Sequence, residues 1–171
     1  MRYVAFLRGV NVGGRTIKMA ELRACFEGIG LREVTTVLQS GNVIFEAARA
    51  TPPALKQKIE GALAATFAYP ARVHVLALAE VHAIAAACPY ADDDPDRHAY
   101  VVFLENGLET ALAGEAVALA PGEETQVGRG VVYWRCPRGS TLQSAFGKLL
   151  TRARYRDFNT NRNLRTLRRL G

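Results

Sequence analysis

This sequence of 171 residues has few of the residues that build covalent frameworks or metal sites. Its three cysteines are scattered without Cys-x-x-Cys spacing, and the spacing of its three histidines fits no metal site. The cysteines are therefore interpreted as reduced, buried small side chains rather than disulfides, zinc ligands or reactive thiols. No apolar run reaches the roughly 18 residues of a membrane span, and the N-terminal residues lack the features of a signal peptide. We expect a cytoplasmic protein with no metal, no cofactor and no membrane partner.

The positive charge of the chain is concentrated at its C-terminal end. Residues 148–171 hold eight Lys and Arg residues and one Asp, a net of +7, so the preceding residues sum to −1 of the total of +6. Such a basic segment could contact nucleic acid or another polyanion. The alternative is a solvated helix face in an Arg-rich protein. The hydrophobic share of 49% and the charged share of 22% are ordinary for a globular chain of one large or two small domains.

The first 79 residues are predicted to form a βαββαβ unit. Short β-branched and aromatic runs predict strands, and apolar residues at helical spacing predict two helices, the second capped by Thr51. The predicted strands cover Arg2–Leu7, Glu33–Leu38, Asn42–Ala47 and Arg72–Leu78, and the helices carry Met19, Leu22, Phe26 and Ile29, then Leu55, Ile59, Leu63 and Phe67. This order of elements is that of the ferredoxin-like fold, also called the α/β plait.

The second half repeats this order less cleanly. A short helix and the acidic stretch Pro89–Asp96 come first, and the stretch is interpreted as a linker because it lacks the glycine and distal Glu of a calcium loop. Strands are then predicted at Ala99–Leu104, Glu124–Gly128 and Val131–Cys136, and helices around Leu108, Leu112 and Leu119 and around Leu142, Phe146, Leu149 and Leu150. No closing strand is predicted, and a basic segment ending in a short helix takes its place.

These patterns predict an α+β protein of two tandem ferredoxin-like modules. The first module covers residues 1–79, and residues 80–97 form a helix and an acidic linker. The second module covers residues 98–171, is incomplete or modified, and carries the basic C-terminal helix.

The densest functional signal runs from Leu7 to Thr16, from the end of a strand towards a helix. Backbone N–H groups in its Gly-rich turns, with a helix N-terminus beyond, favour an anion. Residues 9–16 match a phosphate loop with Arg15 in place of Lys, but such a loop requires a parallel sheet and a helix that starts at the Lys. Here the helix starts nearer Lys18. The alternative is that the glycines only turn the chain and Asn11 binds the loop to itself.

Two further motifs are rich in hydrogen-bond donors and amides. Gln39–Asn42 is expected at a hairpin turn, where Gly and Asn are structural residues but the preceding Gln and Ser are not required. Thr160–Thr166 precedes a short amphipathic helix. Capping of that helix explains Thr160 or Asn161, whereas Arg162 is expected to point at a ligand.

Together these segments carry a resemblance to a known family. They are Leu7–Gly14 (Leu-Arg-Gly-x-Asn-Val-Gly-Gly), Lys18–Leu22 (Lys-Met-x-x-Leu), Gln39–Phe45 (Gln-Ser-Gly-Asn-Val-x-Phe) and Thr160–Thr166. Over essentially the whole chain, they resemble the motifs of the bacterial family catalogued as domain of unknown function 1697. The resemblance implies two ferredoxin-like modules without an assigned activity. Leu164 stands where the family usually has Trp, so the last motif is given no stacking role.

The residue types in these motifs favour binding over acid–base chemistry. Acid–base and nucleophilic catalysis need a group that titrates near pH 7, or a base beside Ser or Cys. The motifs supply neither, unless Glu21 reaches in. A cationic, amide-rich set suits recognition of phosphate or carboxylate, and an enzyme built on it would work by positioning and electrostatics. The predicted ligand-binding residues are Arg8, Asn11, Gly13, Gly14, Lys18, Gln39, Ser40, Asn42, Arg162 and Asn163.

The preferred hypothesis is a module that binds a small anionic or nucleotide-like ligand. One alternative is nucleic-acid binding through the Arg-rich C-terminal segment, although the sheet lacks the aromatic signature of an RNA-binding motif. Another is a purely structural or interaction domain. In a βαββαβ unit the first strand ends where the second ends and the third begins. Arg8, Gln39 and Asn42 are therefore predicted to meet at one edge of the first sheet.

Overall fold

The computed structural model describes residues 1–9, 16–38, 41–48, 50–68, 70–116 and 119–171. The chain is an α+β protein with two four-stranded antiparallel sheets and several helices. It divides into two compact units, Met1–Val81 with Leu170–Gly171, and His82–Arg169. Within the described ranges, no helix has the length and apolar character needed to cross a membrane.

The first unit is built on a sheet whose neighbouring strands all run antiparallel. Its elements are β1 (Arg2–Arg8), α1 (Met19–Gly28), β2 (Arg32–Val37), β3 (Asn42–Glu46), α2 (Pro52–Phe67) and β4 (Arg72–Ala77), followed by α3 (Leu78–Ala86). The strand order is β2-β3-β1-β4. Side chains alternate between the faces of a strand, and Tyr3, Ala5 and Leu7 form one core with Phe26 of α1 and Ile59 of α2.

Capping residues, prolines and a glycine set where the helices of this unit begin and end. Thr51 is the N-cap of α2, and its Oγ1 accepts a hydrogen bond from the Ala54 N–H at 3.4 Å. Pro52 and Pro53 occupy the first turn, where a missing N–H forfeits no helical bond. After α1, Gly30 has a φ of +79°, which L-residues with a side chain rarely adopt. The chain therefore turns back to the sheet at this point.

The second unit has the same strand pattern as the first. Its elements are β5 (Arg97–Leu104), α4 (Glu109–Glu115), β6 (Glu124–Gly128), β7 (Val131–Pro137), α5 (Ala145–Leu150), α6 (Ala153–Arg156), β8 (Asn159–Asn163) and α7 (Leu164–Arg168). The strand order is β6-β7-β5-β8. The core includes Trp134, whose ring lies 5.2 Å from that of Tyr100 and 5.1 Å from that of Phe146.

The prediction that this half lacks a closing strand was wrong. Asn159–Asn163 forms β8, which is antiparallel to β5 and pairs with it from Leu104↔Asn159 to Tyr100↔Asn163. Its sequence, Asn-Thr-Asn-Arg-Asn, has no apolar alternation, so periodicity could not reveal it. Backbone hydrogen bonds to β5 hold this strand in the sheet, and the buried apolar side chains belong to β5 itself.

Two helix predictions in this unit were also too long. α4 ends at Glu115, so Leu119 lies beyond it. Leu142 precedes α5 and is 88% exposed. The N-cap of α5 is Ser144, whose Oγ accepts a hydrogen bond from the Gly147 N–H at 2.9 Å. The side-chain cap sets this boundary, and an apolar residue at helical spacing does not extend it.

Candidate functional site

The end of β1, the end of β2 and the start of β3 meet at one edge of the first sheet. Asn42 is paired with the last residue of β2 on one side and with Phe6 on the other. Leu7, the residue before Arg8, donates its backbone N–H to the carbonyl of Gly41 at 2.7 Å. The structure therefore places these three strand ends together as predicted, whereas Gln39, the third residue of that prediction, lies outside the described residues.

β4 adds an arginine to this edge that the sequence analysis did not select. Arg72 begins β4 and is paired with Arg8, the last residue of β1. Directly opposed residues of an antiparallel pair point to the same face, so the two side chains are neighbours. The sequence held the signal for this residue, because a βαββαβ order places the start of the fourth strand beside the end of the first.

These arginines point to the face of the sheet opposite α1 and α2. Leu7 belongs to the core under the helices, so alternation turns its neighbours Phe6 and Arg8 to the other side. The residues paired with Phe6 and Arg8 share that side. The face consequently carries two guanidinium groups, an imidazole and an amide, from Arg8, Arg72, His74 and Asn42. Arg8 is half-buried and Arg72 is exposed.

The turn at this edge is braced by a buried amide and contains a strained residue. Asn42 is buried, and its Nδ2 donates to the carbonyl of Val37 at 3.1 Å. Gly41 has a φ of +71°, which suits glycine, whereas Leu38 has a φ of +58°, which is costly for a bulky side chain. Leu38 is also 49% exposed. Asn42 therefore has a structural role, and Leu38 presents an apolar surface beside it.

The other residues predicted for this region are placed as follows. Lys18 is exposed at the N-cap position of α1, and its side chain makes no capping hydrogen bond. Asn11, Gly13, Gly14, Gln39 and Ser40 lie outside the described residues. The structure thus brings together Arg8 and Asn42 and adds Arg72 to them.

Arg162 and Asn163 lie in the second unit, on β8. The Nη1 of Arg162 donates to the Thr160 Oγ1 at 3.0 Å and to the Asn161 carbonyl at 2.8 Å. Burial lowers the pKa of Arg162 to about 10, which leaves the guanidinium charged at neutral pH. The predicted cap by Thr160 or Asn161 was wrong, since Asn163 caps α7 by accepting from the Arg165 N–H at 2.9 Å.

Several arginines of the basic C-terminal segment are engaged with carboxylates of the second unit. Glu115 lies 3.3 Å from the guanidinium of Arg152 and 3.0 Å from that of Arg154. Arg168 lies 2.7 Å from the carboxylate of Asp92. Exposed pairs of this kind contribute only about 0–1 kcal/mol each to stability. These ion pairs nevertheless offset part of the positive charge of the C-terminal segment, which was predicted as a possible contact for nucleic acid or another polyanion.

Burial acts on two of the three thiols of this protein. All three cysteines are free, with Cys25 and Cys136 buried and Cys88 half-buried. Burial raises the pKa of Cys88, and it raises the pKa of Cys136 to about 11. Both groups are therefore protonated at neutral pH. Among the residues that the structure describes, no group of three or more His, Cys, Asp or Glu side chains is placed to hold a metal ion.

Comparison with known proteins identifies relatives of the sequence and the fold. The model of the family described as "Protein of unknown function (DUF1697)" matches residues 1–133. Among solved structures, the conserved bacterial protein SP0830 from Streptococcus pneumoniae is similar, with 26% sequence identity and a TM-score of 0.77. That similarity covers 98% of this chain and 94% of the other. No curated protein matches the chain.

Proposed function

Since the chain belongs to the DUF1697 family, whose description assigns no activity, we propose a function from the site itself. This function is the binding of a small anionic or nucleotide-like ligand at the edge of the first sheet. The proposed ligand-binding residues are Arg8 and Arg72, with Lys18 and the predicted residues of the adjoining loop and turn, Asn11, Gly13, Gly14, Gln39 and Ser40. Asn42, also predicted for this site, is buried and supports it by holding the turn. In this proposal the ligand is held by charge and hydrogen bonds, and no residue of the set transfers a proton.

The observation that carries the proposal is the direct opposition of Arg8 and Arg72. Like charges facing each other across two strands destabilise the pair. An anion between the two side chains converts this repulsion into two attractions. The folded protein therefore gains stability when such a ligand binds.

The neighbouring groups suit an oxyanion attached to a larger molecule. Each guanidinium can donate to two oxygens of one phosphate or carboxylate group. Leu38 offers an apolar contact for an uncharged part of the ligand, such as a base or sugar. A carboxylate adjoining this edge, that of Glu60, accepts from the Val73 N–H at 2.9 Å and lies 3.9 Å from the Lys56 ammonium. This carboxylate is therefore already engaged.

The proposal extends to the architecture and location of the protein. The strand orders β2-β3-β1-β4 and β6-β7-β5-β8, each with helices after the first and third strands, support two tandem ferredoxin-like modules. We assign the modules to residues 1–79 and 98–171, with residues 80–97 connecting them. The free cysteines support a location in the reducing cytoplasm.

A thermal-shift screen with inorganic phosphate, AMP, ATP and citrate tests the proposal. Ligand at about 100 times its Kd should stabilise the protein by ~2.7 kcal/mol, which corresponds to roughly 5–10 °C in Tm for a chain of this size. The variant Arg8→Ala should lose this shift. The matched control is Arg2→Ala, an exposed arginine at the other end of the same strand, opposite Glu46.

The expected result is a Tm shift that survives in Arg2→Ala and disappears in Arg8→Ala, with both variants folded in the absence of ligand. The proposal fails if none of the four anions shifts the Tm of the unmodified protein. It also fails if Arg8→Ala and Arg2→Ala respond alike, since the binding would then depend on overall charge.

A further inference from the structure

The turn between β5 and α4 in the second unit contains an asparagine followed by a glycine. Asn106 and Gly107 are the central residues of this turn, with φ of +61° and +69°. Two positive φ values are those of a type I′ turn, for which Asn-Gly is a preferred pair. Of the asparagines in the sequence, Asn106 alone has glycine after it. The pair is therefore the place in this chain where a backbone nitrogen can most readily attack a side-chain amide.

The two central residues of the turn are only weakly held. Both are exposed, and a Cβ added at Gly107 would meet open space. In the part of the chain that the structure describes, neither the Asn106 amide nor the Gly107 N–H makes a hydrogen bond. The Leu108 N–H closes the turn by donating to the Glu105 carbonyl at 3.3 Å, beyond the usual length of such a bond. Opening of the turn therefore breaks one long hydrogen bond.

The residues on either side of the pair are held more firmly. The Glu105 N–H donates to the Phe158 carbonyl at 2.9 Å, and the Leu112 N–H donates to the Leu108 carbonyl at 2.9 Å. Leu108 also packs against the core of the second unit. The turn can therefore open at Asn106 and Gly107 alone, while β5 and α4 remain folded.

The chemistry of this pair requires only water. The backbone nitrogen of Gly107 loses its proton to a base in the solvent and attacks the Cγ of Asn106, which closes a five-membered imide ring. The bond from Cγ to the side-chain nitrogen breaks, and ammonia leaves. Water then adds to one of the two imide carbonyl carbons and breaks the bond from that carbon to the ring nitrogen. Cleavage at Cγ gives an aspartyl residue, and cleavage at the backbone carbon gives an isoaspartyl residue. No atom is oxidised or reduced.

Glycine favours the ring closure for a steric reason. Without a Cβ, Gly107 leaves its nitrogen open to approach and allows the backbone to rotate into the conformation that the ring requires. The attacking nitrogen and the Cγ belong to adjacent residues, so the reaction is intramolecular and has the rate advantage of proximity.

The asparagines of β8 lack these features and serve as internal controls. Asn159, Asn161 and Asn163 are followed by Thr, Arg and Leu, and all three lie within a strand. The Nδ2 of Asn159 donates to the carbonyls of Leu150 at 3.1 Å and Tyr155 at 2.7 Å. A side-chain amide that is held in this way does not turn towards the next backbone nitrogen.

We propose that Asn106 is a site of spontaneous covalent modification, at which the folded protein is converted through the cyclic imide into aspartyl and isoaspartyl forms. Both forms replace a neutral amide by a carboxylate, which lies in the sequence between Glu105 and Glu109. The isoaspartyl form also lengthens the main chain of the turn, because its backbone runs through Cβ. The site belongs to the second unit and is separate from the proposed anion site of the first.

Peptide mass spectrometry of incubated protein tests this inference. The folded protein is kept at pH 8.5 and 37 °C in H₂¹⁸O, and protein digested without incubation gives the baseline. The tryptic fragment 98–129 contains Asn106 as its one asparagine, whereas fragment 157–162 contains Asn159 and Asn161. We expect Asn106 to exchange NH₂ for OH with uptake of ¹⁸O, and fragment 157–162 to keep its mass. An isoaspartyl carboxyl methyltransferase with a labelled methyl donor should label the incubated protein and not the fresh protein.

A variant and a peptide show whether the native turn permits the reaction. Asn106→Gln keeps an amide but would have to close a six-membered ring, so it should show neither the mass change at this position nor the methyl label. A synthetic peptide of residues 103–111 reports the reactivity of the same pair without the fold. Conversion of the peptide with no change in the folded protein would show that the turn protects Asn106, and it would overturn the inference. Conversion of Asn159 at the same rate as Asn106, or methyl labelling that persists in Asn106→Gln, would also overturn it.

Discussion

Replacement of Glu123 by Ala is expected to destabilise the second unit by about 3 kcal/mol. Glu123 is only 8% exposed, and its carboxylate accepts three backbone N–H groups, from Ala120 at 3.2 Å, Ala145 at 3.0 Å and Phe146 at 3.3 Å. Two of these belong to the first turn of α5. A hydrogen bond to a charged group contributes about 1.5–3 kcal/mol and a helix cap about 1 kcal/mol. The three bonds share one carboxylate, so their losses are less than additive.

The variant Glu123→Gln separates charge from shape. Its carbonyl oxygen can retain the two bonds that Oε2 now accepts, from Ala120 and Ala145, while its NH₂ group meets the N–H of Phe146. About half of the loss found for Ala is therefore expected. Asp93→Ala, which removes an exposed carboxylate of the same unit, is the control and should stay within ~0.5 kcal/mol of the unmodified protein.

Urea unfolding followed by tryptophan fluorescence is the assay, because Trp134 is the single tryptophan of the chain and is buried in this unit. Thermal melts should show a fall of roughly 6–12 °C for Glu123→Ala. If the stability of Glu123→Ala matches that of Asp93→Ala, the buried carboxylate does not hold α5, and this account of the helix boundary is refuted.

Three further predictions concern packing, thiol labelling and the dependence of stability on pH. Gly147→Ala would place a Cβ 2.0 Å from the Thr141 carbonyl oxygen, so it should lower the free energy of unfolding by more than ~2 kcal/mol. Gly114→Ala meets open space inside α4 and should raise the free energy of unfolding by about 0.5–1 kcal/mol. Equal urea midpoints of the two variants would contradict this. Cys136, with a pKa of about 11, is only about 0.1% thiolate at pH 8, so iodoacetamide should label the half-buried Cys88 well before it, as measured by peptide mass spectrometry. Because folding raises the pKa of Cys136, the unfolded thiol ionises first, and stability should fall as the pH rises from 9 towards 11.

Much of the first sheet could be predicted because its strands are apolar or β-branched. Tyr3 to Leu7 are all buried, and they predict β1 to within one residue. The same reasoning located the edge where β1, β2 and β3 meet, since the order of elements alone fixes which strand ends are adjacent. The same geometry places Arg72 at this edge. It was overlooked because it belongs to no motif, and its proposed role depends only on its pairing with Arg8.

The parts that escaped prediction are specified by hydrogen bonds rather than by apolar residues. β8 is entirely polar and depends on the ladder that β5 offers it. The start of α5 depends on Ser144 and on Glu123, which is distant in sequence. A periodicity of apolar residues contains no information on such partners. Arg162 was selected for its charge, and the structure shows it held by Thr160 and a backbone carbonyl.

A double-mutant cycle measured by calorimetry tests the central claim most directly. AMP is titrated into the unmodified protein, Arg8→Gln, Arg72→Gln and the double variant. If both guanidinium groups hold the same anion, each single variant should raise the Kd for AMP by about 10-fold. The increase in Kd for the double variant should then be much smaller than the product of the two single increases, because the two groups are coupled through the anion. Binding of AMP that is unchanged in both single variants, or losses that simply multiply, would contradict a shared anion site at the Arg8–Arg72 pair.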